Sequence, residues 1–218
     1  MFEQAVRSIL GRSADDHGVH MSGKTDPQIA LEILARLAVS EDEARHHLPG
    51  VLQALERNLE LAVEAIRTDG RVHPGVPEVL RRLDADPRVL QTVVSGNLKA
   101  NARVKVAAFG LDRWLDLEVG AYGSDDEDRT RLVPIALERV DRLRGRRYRP
   151  QEVWVVGDTP ADLACARAGG ANCLLVATGR IPFDELAAAG PDALLPDLSD
   201  VDRVVTILLS TEPYSTSR

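Results

Sequence analysis

Two short apolar runs constrain this chain most, because each stops at a polar turn that opens a helix. The first is Val89-Leu90-Gln91-Thr92-Val93-Val94, ending at Ser95-Gly96-Asn97; the second is Val153-Trp154-Val155-Val156, ending at Gly157-Asp158. Short apolar runs bounded by Gly, Ser, Asn and Asp read as buried strands. A third run, Cys173-Leu174-Leu175-Val176-Ala177, and a shorter one at Ala193-Leu194-Leu195 follow, with helical periodicity over Asp162–Ala168, Phe183–Ala189 and Val201–Leu209. Upstream, helical patterns cover Val76–Leu83, Leu98–Phe109 and Thr130–Arg144, and a further strand is expected around Leu117–Gly120. Nearly all-apolar strands alternating with helices predict a parallel sheet covered on both faces, a Rossmann-like α/β core. In such sheets chemistry gathers at the carboxyl ends of the strands, where Ser95 and Asp158 fall.

Before residue 71 the texture differs. Ala5, Val6, Ile9 and Leu10 share one helical face, a second helix carries Ile29 to Leu37 behind Asp26-Pro27, and a third spans Val51 to Ile66. Helices without a strand suggest a small bundle. The expected division is a helical domain over 1–70, an α/β core over 71–210 and a frayed tail over 211–218.

Of the 218 residues, 44% are apolar and 28% charged, values typical of a folded globular chain. No apolar run reaches membrane-spanning length, and Glu3 and Arg7 interrupt the place of a signal peptide, so the expected location is the cytoplasm, with no membrane partner. A net charge of −7 gives no electrostatic ground for binding nucleic acid. The arginines between Arg139 and Arg149 read as a solvated helix end. Cys165 and Cys173 read as small buried residues, and His17 and His20 as part of a solvated loop. The oligomeric state is left open.

Gly18-Val19-His20-Met21-Ser22-Gly23-Lys24-Thr25 matches the phosphate-binding pattern G-x-x-x-x-G-K-[ST], which would make the chain a P-loop NTPase. That loop needs a buried strand in front of it, and here the preceding segment is a polar turn behind a helix. The remaining readings are a loop that places Lys24 or Thr25 near a substrate, or a plain helix start. The strand-end sites are more informative. Asp158 and Asp162 bracket the start of a helix, and carboxylates so placed suit a hard cation such as Mg²⁺, but they also suit a helix cap. Ser95-Gly96-Asn97 offers a hydroxyl and backbone amides to an anion, as any strand-to-helix turn can.

In this order, each closing a strand-helix unit, the Ser95 turn and Gly157-Asp158-Thr159-Pro160-Ala161-Asp162 resemble the second and fourth motifs of the haloacid dehalogenase superfamily. Residues 1–70, with Ser22-Gly23-Lys24-Thr25-Asp26-Pro27, resemble the helical cap of its phosphoglycolate-phosphatase-like members. The resemblance implies a Mg²⁺-dependent phosphatase of a small phosphorylated metabolite, working through an aspartyl-phosphate. Ser95, with Gly96 and Asn97, would bind the phosphoryl group; Lys24 would contribute from the cap; Asp158 would hold Mg²⁺, and Asp162 would ligate or orient it. The third motif is normally a Lys; Arg129 or Arg131 must serve here, and Arg129 is preferred.

The first motif of that family, D-x-D-G-T at the end of a buried strand, supplies the nucleophile. Asp84-Ala85-Asp86, Asp126-Glu127-Asp128 and Asp200-Val201-Asp202 are the D-x-D strings that could substitute, and none follows an apolar run. The expectation is that the first core strand, roughly 20 residues with its loop, precedes Met1 in the complete protein, and that 1–218 alone lacks turnover. The alternative is a non-catalytic relative acting through binding.

Overall fold

The computed structural model describes residues 1–15 and 17–210, so the tail expected at 211–218 lies outside the described residues. In chain order the helices are α1 (Phe2–Leu10), α2 (Asp26–Arg36), α3 (Glu41–Leu61), α4 (Val63–Asp69), α5 (Val76–Asp84), α6 (Lys99–Ala108), α7 (Leu132–Arg144), α8 (Pro160–Ala168), α9 (Phe183–Ala188) and α10 (Val201–Leu209). The strands are β1 (Val94–Ser95), β2 (Ala121–Tyr122), β3 (Trp154–Gly157), β4 (Asn172–Val176) and β5 (Ala193–Leu195). Contacts divide the chain into two compact units. One comprises Met1–Gly70, Ser95–Gly110 and Tyr122–Arg129; the other comprises Arg71–Val94, Leu111–Ala121 and the chain from Thr130 on.

The first unit is helical. Helix α2 starts where Thr25, in extended conformation, accepts a hydrogen bond from Gln28 N at 3.3 Å, with Pro27 in the first turn. Helix α3 starts earlier than the apolar pattern from Val51 suggests, because Ser40 caps it and Glu41, Asp42 and Glu43 complement the positive end of its dipole. It runs through Pro49 and stops at Leu61, where α4 takes over, rather than continuing to Ile66. Gly50 of α3 lies against Ile9 of α1, where a Cβ would make ordinary contact with Cδ1 at 3.4 Å. Val6, Ile33, Leu34, Val51, Leu55 and Leu98 form the centre of this unit's core. Each large aliphatic side chain there contributes about 1.5–3 kcal/mol of burial. His17 departs from its solvated reading: its ring is 7% exposed, lies 3.3 Å from Glu3 Oε1, and accepts a bond from Val19 N.

The second unit holds the three-stranded parallel sheet β3-β4-β5, with Val155 opposite Cys173 and Leu174 opposite Ala193. Side chains along β4 alternate between two cores. Cys173 and Leu175 pack with Leu132, Val133, Leu163 and Leu186, whereas Leu174 and Val176 pack with Val79, Leu83, Val204 and Ile207. Helices α7, α8 and α9 therefore cover one face and α5 and α10 the other, as the apolar strand pattern predicts. Strand β3 is an edge of this sheet, and its Val156 is 42% exposed while Leu174 and Leu175 are 0% exposed.

Strands β1 and β2 pair with one another in a separate two-stranded sheet, and the division between units falls within each. The apolar run from Val89 contributes only Val94 to β1, and the strand expected at Leu117–Gly120 lies instead at Ala121–Tyr122. Side chains compete with the ladder here: Gln91 Nε2 donates to Leu80 O at 2.9 Å and Thr92 Oγ1 to Asp116 O at 2.7 Å.

Neither Cys165 nor Cys173 is in a disulfide, both are buried, and burial pushes the Cys173 thiol up to about 12. The arginine-rich helix end is held by carboxylates, Arg144 on Asp116 and Arg147 on Asp141. No helix among the described residues is long and apolar enough to cross a membrane.

Candidate active site

The carboxyl end of β3 is built around two carboxylates, each fitted against a glycine. Thr159 is the N-cap of α8 and accepts a bond from Asp162 N at 3.3 Å. Asp162 Oδ2 in turn accepts from Asp158 N at 3.1 Å, Thr159 N at 3.0 Å and Thr159 Oγ1 at 2.8 Å. This is a reciprocal capping box closed by a carboxylate. A Cβ on Gly157 would lie 2.3 Å from Asp162 Cγ, so a glycine is required for that carboxylate to fold back over the strand end.

Asp158 points elsewhere. A Cβ on Gly179 would stand 2.1 Å from Asp158 Oδ2, so the turn after β4 passes close over this carboxylate. Asp162 Oδ2 closes the cap, while the Asp158 carboxylate lies against Gly179. Among the described residues no group of three or more His, Cys, Asp or Glu is assembled as a metal cage. A Mg²⁺ ion is commonly held by one or two carboxylates with water and substrate phosphate completing the shell, and Asp158 fits that requirement.

The Ser95-Gly96-Asn97 turn belongs to the helical unit, joined to the start of α2. Asn97 N donates to Ser95 Oγ at 3.1 Å, which leaves the Ser95 hydroxyl hydrogen to serve as a donor. Gly96 is buried, and a Cβ there would lie 2.2 Å from Lys24 O. Asn97 Nδ2 donates to Asp26 Oδ1 at 3.1 Å, and Lys105 Nζ donates to Asn97 Oδ1 at 2.7 Å. In the sequence Asp26 marks only a helix start. It is 3% exposed, and burial raises its pKa above the ordinary carboxylate value, against the lowering effect of bonds from Leu98 N and Asn97. Nothing in the sequence distinguishes it from any acidic first-turn residue.

Lys24 reaches this region with its backbone, while its ammonium pairs with Glu32 of α2. The loop Gly18–Thr25 follows α1 rather than a strand, and the Thr25 hydroxyl donates to Glu127 O at 2.8 Å. The loop therefore lacks the feeding strand that a P-loop needs. Arg129 is half-buried and Arg131 exposed, the latter lining a cleft of about 360 Å³ with Pro134, Ile135 and Glu138.

Each D-x-D string has at least one carboxylate engaged. Asp84 ends α5, and Asp86 accepts from Arg88, whose guanidinium holds it down to about 2. Asp126 accepts from Asp128 N at 2.9 Å, Asp200 caps α10 through Arg203 N at 3.1 Å, and Asp202 pairs with Arg82.

A parallel sheet with helices on both faces defines an α/β protein, and Asp158 and Asp162 lie at the carboxyl end of one of its strands. Residues 130–201, which carry Asp158 and Asp162, match the HAD-hydrolase-like family model. The chain has a haloacid-dehalogenase-like α/β fold with an N-terminal helical region. A HAD hydrolase of family IA, variant 3, from Entamoeba histolytica HM-1:IMSS superposes with a TM-score of 0.64 at 15% identity, over 96% of this chain and 90% of that one. A protein assigned from sequence as a phosphoglycolate phosphatase, from Haemophilus somnus 129PT, gives 0.60 at 20% identity, over 93% and 88%. In sequence, the chain is 26% identical over 136 residues to PpaX of Caldanaerobacter subterraneus subsp. tengcongensis, whose assignment as a pyrophosphatase is provisional. That match spans 62% of this chain and 59% of the relative's length, less than two thirds of it.

Proposed function

We propose that this chain carries the phosphate-binding and Mg²⁺-binding parts of a phosphatase acting on a small phosphorylated metabolite. The observation that supports it best is the strand end of β3, where the Asp162 carboxylate closes a capping box and the Asp158 carboxylate lies against Gly179, both within the family-matched segment. Ser95 donates its hydroxyl to the phosphoryl oxygens, with Gly96 giving the turn its close approach to the Lys24 backbone. Arg129 offsets phosphoryl charge. Asp158 holds Mg²⁺, and Asp162 fixes the Asp158 backbone so that its side chain is aimed. Bound there, Mg²⁺ would neutralise charge on the transferring phosphoryl group. Related names support the substrate class: phosphoglycolate phosphatase and pyrophosphatase both act on phosphorylated compounds.

We infer further that none of the D-x-D strings supplies the nucleophile: Asp86 is bonded to Arg88, Asp126 accepts from Asp128 N, and Asp200 caps α10. The free edge of β3, with Val156 exposed, is where a strand bearing the nucleophile would pair. The test uses purified 1–218 with p-nitrophenyl phosphate and Mg²⁺, alongside Mn²⁺ binding followed by electron paramagnetic resonance. The expected result is no turnover with divalent binding that Asp158→Asn removes. Turnover dependent on Mg²⁺ and Asp158 would overturn the placement of the nucleophile; no Asp158-dependent binding would overturn the phosphatase reading.

A further inference from the structure

Resting on the reading of Ser95 as a phosphate ligand, we propose that Asp26 is a positioning residue for the Ser95–Leu98 turn, with Asn97 a strut in the same clamp rather than a ligand. Asp26 makes successive bonds to successive residues of the turn. Its own N–H donates to Gly96 O at 2.7 Å, its Oδ1 accepts from Asn97 Nδ2 at 3.1 Å, and its Oδ2 accepts from Leu98 N at 2.8 Å. Both ends of the Asn97 amide are engaged, since Lys105 Nζ donates to its Oδ1. Asn97 is therefore occupied in holding the turn, and Ser95 is the residue whose hydroxyl hydrogen is directed by it, through the bond from Asn97 N to Ser95 Oγ.

A buried carboxylate beside an anion-binding turn would be counterproductive if its charge were bare. Here the Leu98 N–H and the Asn97 amide meet its oxygens directly, and the Lys105 ammonium stands behind the amide. The first free N–H of α6 that a helix start would offer an anion, Leu98 N, is consumed by Asp26. The arrangement trades a diffuse helix-terminus site for one fixed hydroxyl, and fixed donors are what phosphoryl transfer requires. The backbone reinforces the clamp: Gly123 N donates to Asn97 O at 2.9 Å, and a Cβ on Gly123 would lie 2.1 Å from Gly96 O.

Asp26→Asn separates positioning from filling space. The asparagine retains the shape but carries one acceptor and one donor group, so either the Leu98 N–H or the Asn97 amide faces a donor. The exchange Asp26→Asn with Asn97→Asp restores the pairs with Leu98 N, with the side chain at 97 and with Lys105. The experiment titrates the protein of residues 1–218 with inorganic phosphate and follows the Ser95 and Gly96 amide signals by nuclear magnetic resonance, with the amide exchange rate of Leu98 measured in the wild-type protein.

The expected result is phosphate binding by the wild type, about tenfold weaker binding in Asp26→Asn, and recovery of the wild-type Leu98 amide environment in the exchanged pair. Wild-type binding that is unchanged in Asp26→Asn overturns the proposal alone. Absence of any wild-type binding overturns the phosphate reading of Ser95 and the proposal with it. Should Asp26→Asn fail to fold, the wild-type measurement decides: a Leu98 amide exchanging as in an unfolded peptide overturns the clamp, and a protected one supports it.

Discussion

Asp158 Oδ2 occupies the place where a side chain on Gly179 would begin, 2.1 Å from the position of its Cβ. The clashing atom is the far end of a side chain, so Gly179→Ala leaves the backbone in place and displaces the carboxylate. The expected outcome is near-wild-type stability, within about 1 kcal/mol, with divalent-ion affinity lowered about tenfold, the size of effect that moving a ligand's support produces. Mn²⁺ titration together with thermal unfolding checks both parts. Unchanged affinity would mean that Asp158 does not reach the ion from its observed position.

Gly96 makes the opposite prediction, because its neighbours are backbone. A Cβ there would lie 2.2 Å from Lys24 O and 3.0 Å from Thr25 Cα, and neither can yield without moving the start of α2. Gly96→Ala is expected to cost more than about 2 kcal/mol, as overpacking against immobile atoms does. Gly123→Ala presses on Gly96 O and should do the same. The combined variant should lose less than the sum, since both relieve strain through one shift. Urea unfolding of the single and double variants measures that cycle.

What the sequence discloses and conceals divides along the range of the interactions. The run Cys173–Ala177 is legible as a strand covered on both faces, because a strand between two helical layers must be apolar throughout. The Thr159–Asp162 turn was readable as a cap or a cation site, and only the bonds to Asp162 Oδ2 divide the roles of its two carboxylates. Asp26 was hidden because its partners Asn97 and Leu98 lie on a segment far away in sequence. The same distance explains why contacts group Ser95–Gly110 with residues 1–70, a grouping that no local pattern announces. The start of α3 was missed for a different reason: an apolar period marks what a helix buries, whereas Ser40 and the acids behind it begin the helix without burying anything.

Asp116 and Arg144 provide a pH test with a definite sign. Arg144 Nε and Nη2 donate to the two Asp116 oxygens at 2.6 and 2.9 Å, and this guanidinium holds the carboxyl below its ordinary value of 3.8. A depressed folded pKa contributes stability that is present above 3.8 and is lost as the pH falls through the lower folded value. Both side chains are partly exposed, so the contribution is discounted to under about 1 kcal/mol at neutral pH. Asp116→Asn should therefore be slightly less stable than wild type at neutral pH, and the gap should close in acid below the folded pKa. A gap that persists there would assign the loss to packing rather than charge.

Asp162 separates a cap from a metal-orienting group. Its Oδ2 accepts bonds from Asp158 N, Thr159 N and Thr159 Oγ1, so the same oxygen both starts α8 and fixes the backbone from which Asp158 projects. Thr159→Ala removes the bond to Asp162 N and one donor to Oδ2, and a lost cap costs about 1 kcal/mol, or about 2–4 °C in Tm for a chain of this size. Asp162→Asn keeps the size but replaces a charged acceptor by a neutral one. If Asp162 only caps, both variants should lose stability and bind Mn²⁺ as the wild type does. If it also aims Asp158, Asp162→Asn should weaken Mn²⁺ binding by about 10- to 100-fold, while Thr159→Ala, which leaves the two backbone donors on Oδ2 intact, should weaken it much less. The second pattern is expected, because the Asp158 N–H is bonded directly to Asp162 and only indirectly to Thr159.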